Sequence, residues 1–241
     1  MAGNYLNINP LLFSIPIMLF IVAFVLLLYY TYARSVRLQH QLRNRYLTNL
    51  EEERKRISRE LHDTMSVFTI SLKNNIYQEA CLSDIKKQEW TAQIIHFESN
   101  ITDLNELLYP TEIIHGNLYS ALDRLSSLLH KSGKQVSIYN TSQLTLSTKN
   151  TIHLYRILQE SIINIFKHTE NKQVILSLQE EDNMLNAVLS YPSSSAPSNY
   201  EHKETRRGQQ ILQERLSLVN GTRSIHWEEG IIFERFKFGK L

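Results

Sequence analysis

The first 33 residues carry no charged side chain, and Leu11 to Tyr32 is an almost unbroken apolar run. A run of about 22 residues is long enough to cross a bilayer as a helix, so a membrane span is predicted here. A secretory signal peptide would need a basic start and a shorter apolar stretch, and neither is present. Arg34, Arg37, Arg43 and Arg45 follow the run while nothing basic precedes it. The positive-inside bias therefore predicts that everything after Ala33 lies in the cytoplasm, with Tyr29, Tyr30 and Tyr32 at the inner interface. Residues 1–10 are left as an extracytoplasmic stub, too short to fold a ligand-binding domain.

From Leu47 the apolar positions change rhythm. Leu47, Leu50, Ile57, Leu61, Phe68, Leu72 and Ile76 fall largely in steps of three and four, which is a coiled-coil-like seam. No Gly or Pro interrupts the chain between Ala33 and Tyr109, so a long helix is predicted to leave the membrane directly. After a break near Ala80 to Lys87, the same spacing returns at Trp90, Ile94, Phe97, Ile101, Leu104 and Leu108, and Pro110 stops it. Two helices with one narrow stripe each bury those stripes poorly alone. Pairing of two hairpins into a four-helix bundle, hence a homodimer, is the economical arrangement.

Beyond Pro110 the pattern is mixed. Leu118 to Leu129 reads as an amphipathic helix ended by Gly133, followed by a strand over Gln135 to Tyr139. Thr151 to His168 and Gln209 to Val219 read as further helices. Strands are predicted over Gln173 to Leu178 and Met184 to Ser190, turning around Glu181, Asp182 and Asn183. Thr222 to Trp227 and Ile231 to Phe238 form a second hairpin around Glu228 to Gly230. Helices beside a mostly antiparallel sheet make an α+β two-layer domain. Tyr191 to Thr205, with three consecutive serines and two prolines, reads as a mobile loop. The domain plan is thus 1–10, 11–32, 33–110 and 111–241.

Composition removes several function classes. The net charge is +2, with 26 basic against 24 acidic residues, and no long basic run points to nucleic acid. The single cysteine, Cys81, cannot form an internal disulfide and is expected to be a small, partly buried thiol. No Cys/His cluster has zinc-ligand spacing.

His62 lies one position after the seam residue Leu61, so on a helix its imidazole projects from the shoulder of the bundle. A histidine with a reference pKa near 6.5 is mostly neutral in the cytoplasm and has a nitrogen lone pair free to attack a phosphoryl group. The carboxylate of Asp63 could accept a hydrogen bond from the other ring nitrogen. The surrounding stretch, Glu53-Arg54-Lys55-Arg56-Ile57-Ser58-Arg59-Glu60-Leu61-His62-Asp63, resembles the phosphoacceptor helix of the NarL-partner subgroup of sensor histidine kinases. The resemblance extends from roughly Leu50 to the C-terminus. It implies a dimerisation hairpin, a GHKL-type ATP-binding domain with a degenerate nucleotide lobe, and His62 as phosphate acceptor.

A second segment, Gln159-Glu160-Ser161-Ile162-Ile163-Asn164-Ile165-Phe166-Lys167-His168, is similar to the N box of that family. Glu160, Asn164, Lys167 and His168 are spaced to share one helical face, with the remaining Ile and Phe side chains expected in the core. The resemblance implies that Asn164 helps hold Mg²⁺ on the phosphates of ATP, that Lys167 and His168 lie near those phosphates, and that Glu160 orients groups there. Other family features are missing. Leu189-Ser190-Tyr191-Pro192-Ser193-Ser194 stands where an adenine-reading Asp is expected, and of the glycine-rich lid only Gly208 remains, with Arg206 and Gln209 beside it. Arg206 in place of glycine makes a close backbone cradle for phosphate harder to form. Gly230-Ile231-Ile232-Phe233 replaces a Gly-x-Gly-Thr segment. Val67 replaces a polar residue, often Gln, which points to weak phosphatase activity.

The reading that results is a sensor histidine kinase of the cytoplasmic (inner) membrane. It would phosphorylate His62 from Mg-ATP and pass the phosphate to an aspartate of a response regulator. The alternatives are a nucleotide-impaired dimeric phosphotransfer or docking module, and a membrane-tethered helical scaffold without phosphate chemistry.

Overall fold

The structure is a computed structural model describing residues 11–79, 81–142, 146–182, 184–193 and 206–239. The chain divides into two compact units, Met1–Asn49 and Leu50–Leu241. In the first, α1 (Leu11–Gln78) begins as the apolar run, and a window of mean hydropathy 2.1 is long and apolar enough to cross a membrane, with none of it buried.

The second unit contains the rest of α1 and α2 (Asp84–Leu108), which form the expected hairpin. The two helices are tied by Lys73 Nζ donating to Glu98 Oε2 at 2.7 Å. Cys81 lies in the connection between them and is exposed, which corrects the expectation of a partly buried thiol. The connection is too short to have an interior of its own, so its side chains meet solvent.

A 3-10 turn at Thr111–His115 leads into α3 (Leu118–Lys131), whose N-cap Asn117 accepts from the Ser120 amide at 2.9 Å. Gly116 makes this approach possible: its φ is +70°, and a Cβ there would stand 2.7 Å from the Leu146 carbonyl oxygen. β1 (Gln135–Asn140) then runs parallel to β2 (Gln173–Glu181), with α4 (Thr148–His168) as the crossover between them. Ser147 caps α4 by accepting from the Asn150 amide at 3.2 Å. β3 (Met184–Pro192), α5 (Arg206–Leu218), β4 (Gly221–Glu228) and β5 (Ile231–Phe238) complete a five-stranded sheet of order β1-β2-β3-β5-β4, all pairs but the first antiparallel. Glu229 and Gly230 both take positive φ, 48° and 82°, as a two-residue hairpin loop requires.

One face of the sheet meets the helices. Leu185, Ala187, Leu189 and Tyr191 on β3 are buried beside Phe238, Phe236, Glu234 and Ile232 of β5, their register partners. Tyr191 and Pro192 therefore belong to β3, not to the loop predicted from the serines and prolines. Pairing with Ile232 and burial of its ring outweigh the local turn signal, and Pro192 is tolerated because it ends the strand. The rest of that loop expectation, residues 194–205, lies outside the described residues.

Candidate functional site

His62 and Asp63 are both exposed on α1, and neither side chain makes a hydrogen bond or an ion pair among the described residues. The contact foreseen between them is thus not made in this conformation. One turn upstream the helix is braced along its surface: Arg56 reaches Glu53 at 2.5 Å and Glu60 at 2.6 Å.

The polar face of α4 forms as its spacing predicts. Glu160 and Lys167 are exposed, Asn164 and His168 half-buried, and the Asn164 carboxamide donates to Glu160 Oε1 at 3.4 Å. Ile162 and Ile165 are in the core, but Ile163 is 37% exposed, against the expectation that every Ile there faces inward. It directly precedes Asn164, so a helix that exposes Asn164 turns Ile163 to the rim of the same face. Two oxygen-bearing side chains, Glu160 and Asn164, beside two basic ones suit a divalent cation carried on phosphates. Among the described residues no group of three His, Cys, Asp or Glu side chains could hold a metal ion.

Gly208 lies in the first turn of α5. At the end of β3 the chain is fastened: Asn171 Nδ2 donates to the Pro192 carbonyl at 2.9 Å, Ser193 N to the Gly230 carbonyl at 2.8 Å, and Trp227 Nε1 to the Ser193 carbonyl at 3.3 Å. From Leu189 to Ser193 the residues offer hydroxyls and main chain but no carboxylate to a nucleotide base.

No family model matches the chain. Curated relatives do. The Sensor protein NarQ homolog of Haemophilus influenzae is 26% identical over 82% of this chain and 37% of its own length. The Sensor histidine kinase ComP of Bacillus subtilis is 27% identical over 75% of this chain and 25% of its own. The chain is a relative of the sensor histidine kinases. It spans well under two thirds of the length of either relative. Among solved structures, the histidine kinase domain of a blue-light activated kinase from Erythrobacter litoralis covers 75% of this chain, at 10% identity and a TM-score of 0.48.

In this sensor histidine kinase relative the structure adds a cluster that the sequence did not disclose. Glu51 of α1 is only 6% exposed, and its carboxylate takes Arg156 Nε of α4 at 3.1 Å, Arg215 Nη2 of α5 at 2.5 Å and Arg54 Nη1 at 3.0 Å. Burial alone would raise the Glu51 pKa, but Arg156, Arg215 and Arg54 together hold it below the usual carboxylate range. Arg156 also donates to the Leu107 carbonyl at 3.3 Å, to the Leu108 carbonyl, and to Gln159 Oε1 at 2.7 Å. It thereby satisfies carbonyls left open at the end of α2. Arg215 Nη1 lies 3.3 Å from His153 Nδ1. A guanidinium only donates, so His153 is the neutral ring with its proton on Nε2. Burial, and then the charge of Arg215, push its pKa down to about 4.

Proposed function

We propose that this chain is an ATP-dependent histidine autokinase of the cytoplasmic membrane, spanning it once with the part after Ala33 inside. The observation that carries the reading is the pairing, within one compact unit, of an exposed histidine on a helical hairpin with an α+β domain. One helix face of that domain presents Glu160, Asn164, Lys167 and His168. A neutral imidazole nitrogen of His62 attacks the γ-phosphorus of ATP, the bond from that phosphorus to the bridging oxygen breaks, and its electron pair leaves with ADP. The ring loses its proton to Asp63 or to water. Lys167 and His168 offset phosphate charge, Asn164 orients the phosphates, and Glu160 holds the Asn164 carboxamide in place. Gly208 allows main chain to come close at the start of α5. Mg²⁺, when bound, would be held through Asn164 and would supply charge neutralisation on the phosphates. An aspartate of a response regulator then takes the phosphate. Exposed Ile57, Phe68, Ile70, Trp90, Phe97 and Leu104 along the hairpin support a homodimer in which those side chains are covered.

A second reading draws on the end of β3. Without a carboxylate there the base is poorly read, and the chain would then serve as a dimeric phosphotransfer or docking module supplied by another kinase. Incubation of the protein with labelled ATP and Mg²⁺ separates the two. Acid-labile label that disappears in His62→Gln and falls at least about tenfold in Asn164→Ala supports the autokinase. Absence of label in the unaltered protein, with label accepted from a phosphorylated regulator, supports the module instead.

A further inference from the structure

The polar face of α4 stands beside one end of the helix-covered side of the sheet, and register shows which residues lie there. Ser161 Oγ donates to Glu234 Oε1 of β5 at 3.2 Å, which sets that turn of α4 over the row Leu189, Glu234 and Ile225. Past the end of α4, Asn171 Nδ2 donates to the Pro192 carbonyl at 2.9 Å, so the helix runs from that row toward the end of β3. Asn164 is three residues beyond Ser161, about 4.5 Å along the axis, and the next row on the same side of the sheet is about 6.6 Å along the strands. That row is Tyr191, Ile232 and Trp227. α5 reaches the same end from the other side. It packs against α4 and β4 and joins β4 through Val219 and Asn220. Its 13 residues span about 20 Å, as does the run from Gly221 to Trp227, so a helix folded back over β4 returns its first turn, with Gly208, to the level of Trp227.

Tyr191 and Ile232 are buried, but Trp227 on the edge strand is 40% exposed. Its ring is pinned: Nε1 donates to the Ser193 carbonyl at 3.3 Å, and Ser193 N donates to the Gly230 carbonyl at 2.8 Å. An indole tied through its nitrogen keeps its plane and offers a π face, and every nucleobase has a π face to lay on it. The neighbouring row does not supply a reader for the base edge. Glu234 is buried there, and its carboxylate takes Arg223 Nε at 2.7 Å as well as the Ser161 hydroxyl.

We propose that a nucleotide is held here by its phosphates, on the polar face of α4, and by stacking of its base on Trp227 above the apolar floor of Tyr191 and Ile232. Stacking does not distinguish the hydrogen-bonding edges of adenine and guanine. The substrate class is therefore nucleoside triphosphates at large, and GTP serves as ATP does. The inference rests on the autokinase reading for transfer to His62, but the stacking itself is measured by binding alone.

The test uses the full chain in lipid nanodiscs with Trp90→Phe, which leaves Trp227 as the one tryptophan of the chain. Isothermal titration compares the Mg²⁺ complexes of ATP, GTP and inorganic tripolyphosphate, and tryptophan emission is followed in the same samples. ATP and GTP bind within about threefold of each other and quench Trp227, whereas tripolyphosphate binds without quenching. In Trp227→Leu both nucleotides weaken about five- to thirtyfold and tripolyphosphate is unchanged. A preference of about tenfold or more for ATP over GTP overturns the inference and leaves the autokinase standing, because a base edge is then being read. Unaltered nucleotide binding in Trp227→Leu also overturns it, as does the absence of any nucleotide binding. If Trp227→Leu loses tripolyphosphate as well, the fold is damaged and the emission of Trp227 decides: quenching by ATP and GTP alike upholds the stacking, and no quenching overturns it. Equal binding and quenching by both nucleotides, with no label reaching His62 from either, upholds the stacking and removes the autokinase reading instead.

Discussion

His153 makes the stability of the globular domain sensitive to mild acid in a way that can be assigned to one ring. The ring is 4% exposed, its Nδ1 accepts from Arg215 at 3.3 Å, and its pKa is held at about 4 against an ordinary 6.5. In the unfolded chain it takes up a proton as pH falls through 6.5, while in the folded chain it resists until about 4. The unfolded state thus binds more protons throughout that window, and acid favours unfolding. Between pH 7.5 and pH 4.5 the difference is on the order of 2 kcal/mol from this group alone. Glu51 works in the same direction but later: its pKa is depressed on folding, so its contribution persists until pH falls below the ordinary carboxylate value of 4.5. Restricting the measurement to pH 4.5 and above separates the two. The assay is urea unfolding of a soluble fragment beginning at Arg34, at several pH values, for the unaltered chain and for His153→Gln. Other titrating groups are common to both, so the difference in pH slope belongs to His153. Equal slopes would refute the reasoning, and so would a slope difference confined to pH below 4.5.

Two further outcomes concern the framework that carries the site. Gly116→Ala forces a side chain into a backbone with φ +70° and sets its Cβ 2.7 Å from the Leu146 carbonyl oxygen, so it should cost about 2 kcal/mol or more and lower the melting temperature; an unchanged melting curve would contradict the strain. Leu158→Ala empties a fully buried position on α4 and should cost about 2–5 kcal/mol in urea unfolding; an unchanged midpoint would contradict the packing.

Much of this architecture could be read from the order of polar and apolar residues, and the reasons it could not be read further are local. The hairpin, the domain after Pro110 and the polar face of α4 all rest on periodicity, which is a property of neighbouring residues. Tyr191 was misread because serine and proline speak for a turn only until a partner strand supplies register, and Ile232 does so from 41 positions away in the chain. The Glu51 cluster shows the limit most clearly. Asn49 to Arg59 has the composition of a solvated helix, and nothing in it distinguishes Glu51 from Glu52 or Glu53. The other half of the cluster was equally hidden. From Thr151 to Gln159 every residue of α4 is buried, so this stretch is enclosed on all sides, and yet it contains His153 and Arg156. A charge in a helix segment enclosed in this way has no route to water and must meet a partner inside. Only the fold discloses that enclosure, and with it that Arg156 is paired. The partner carboxylate lies 105 residues away on a helix whose pattern advertises only solvent.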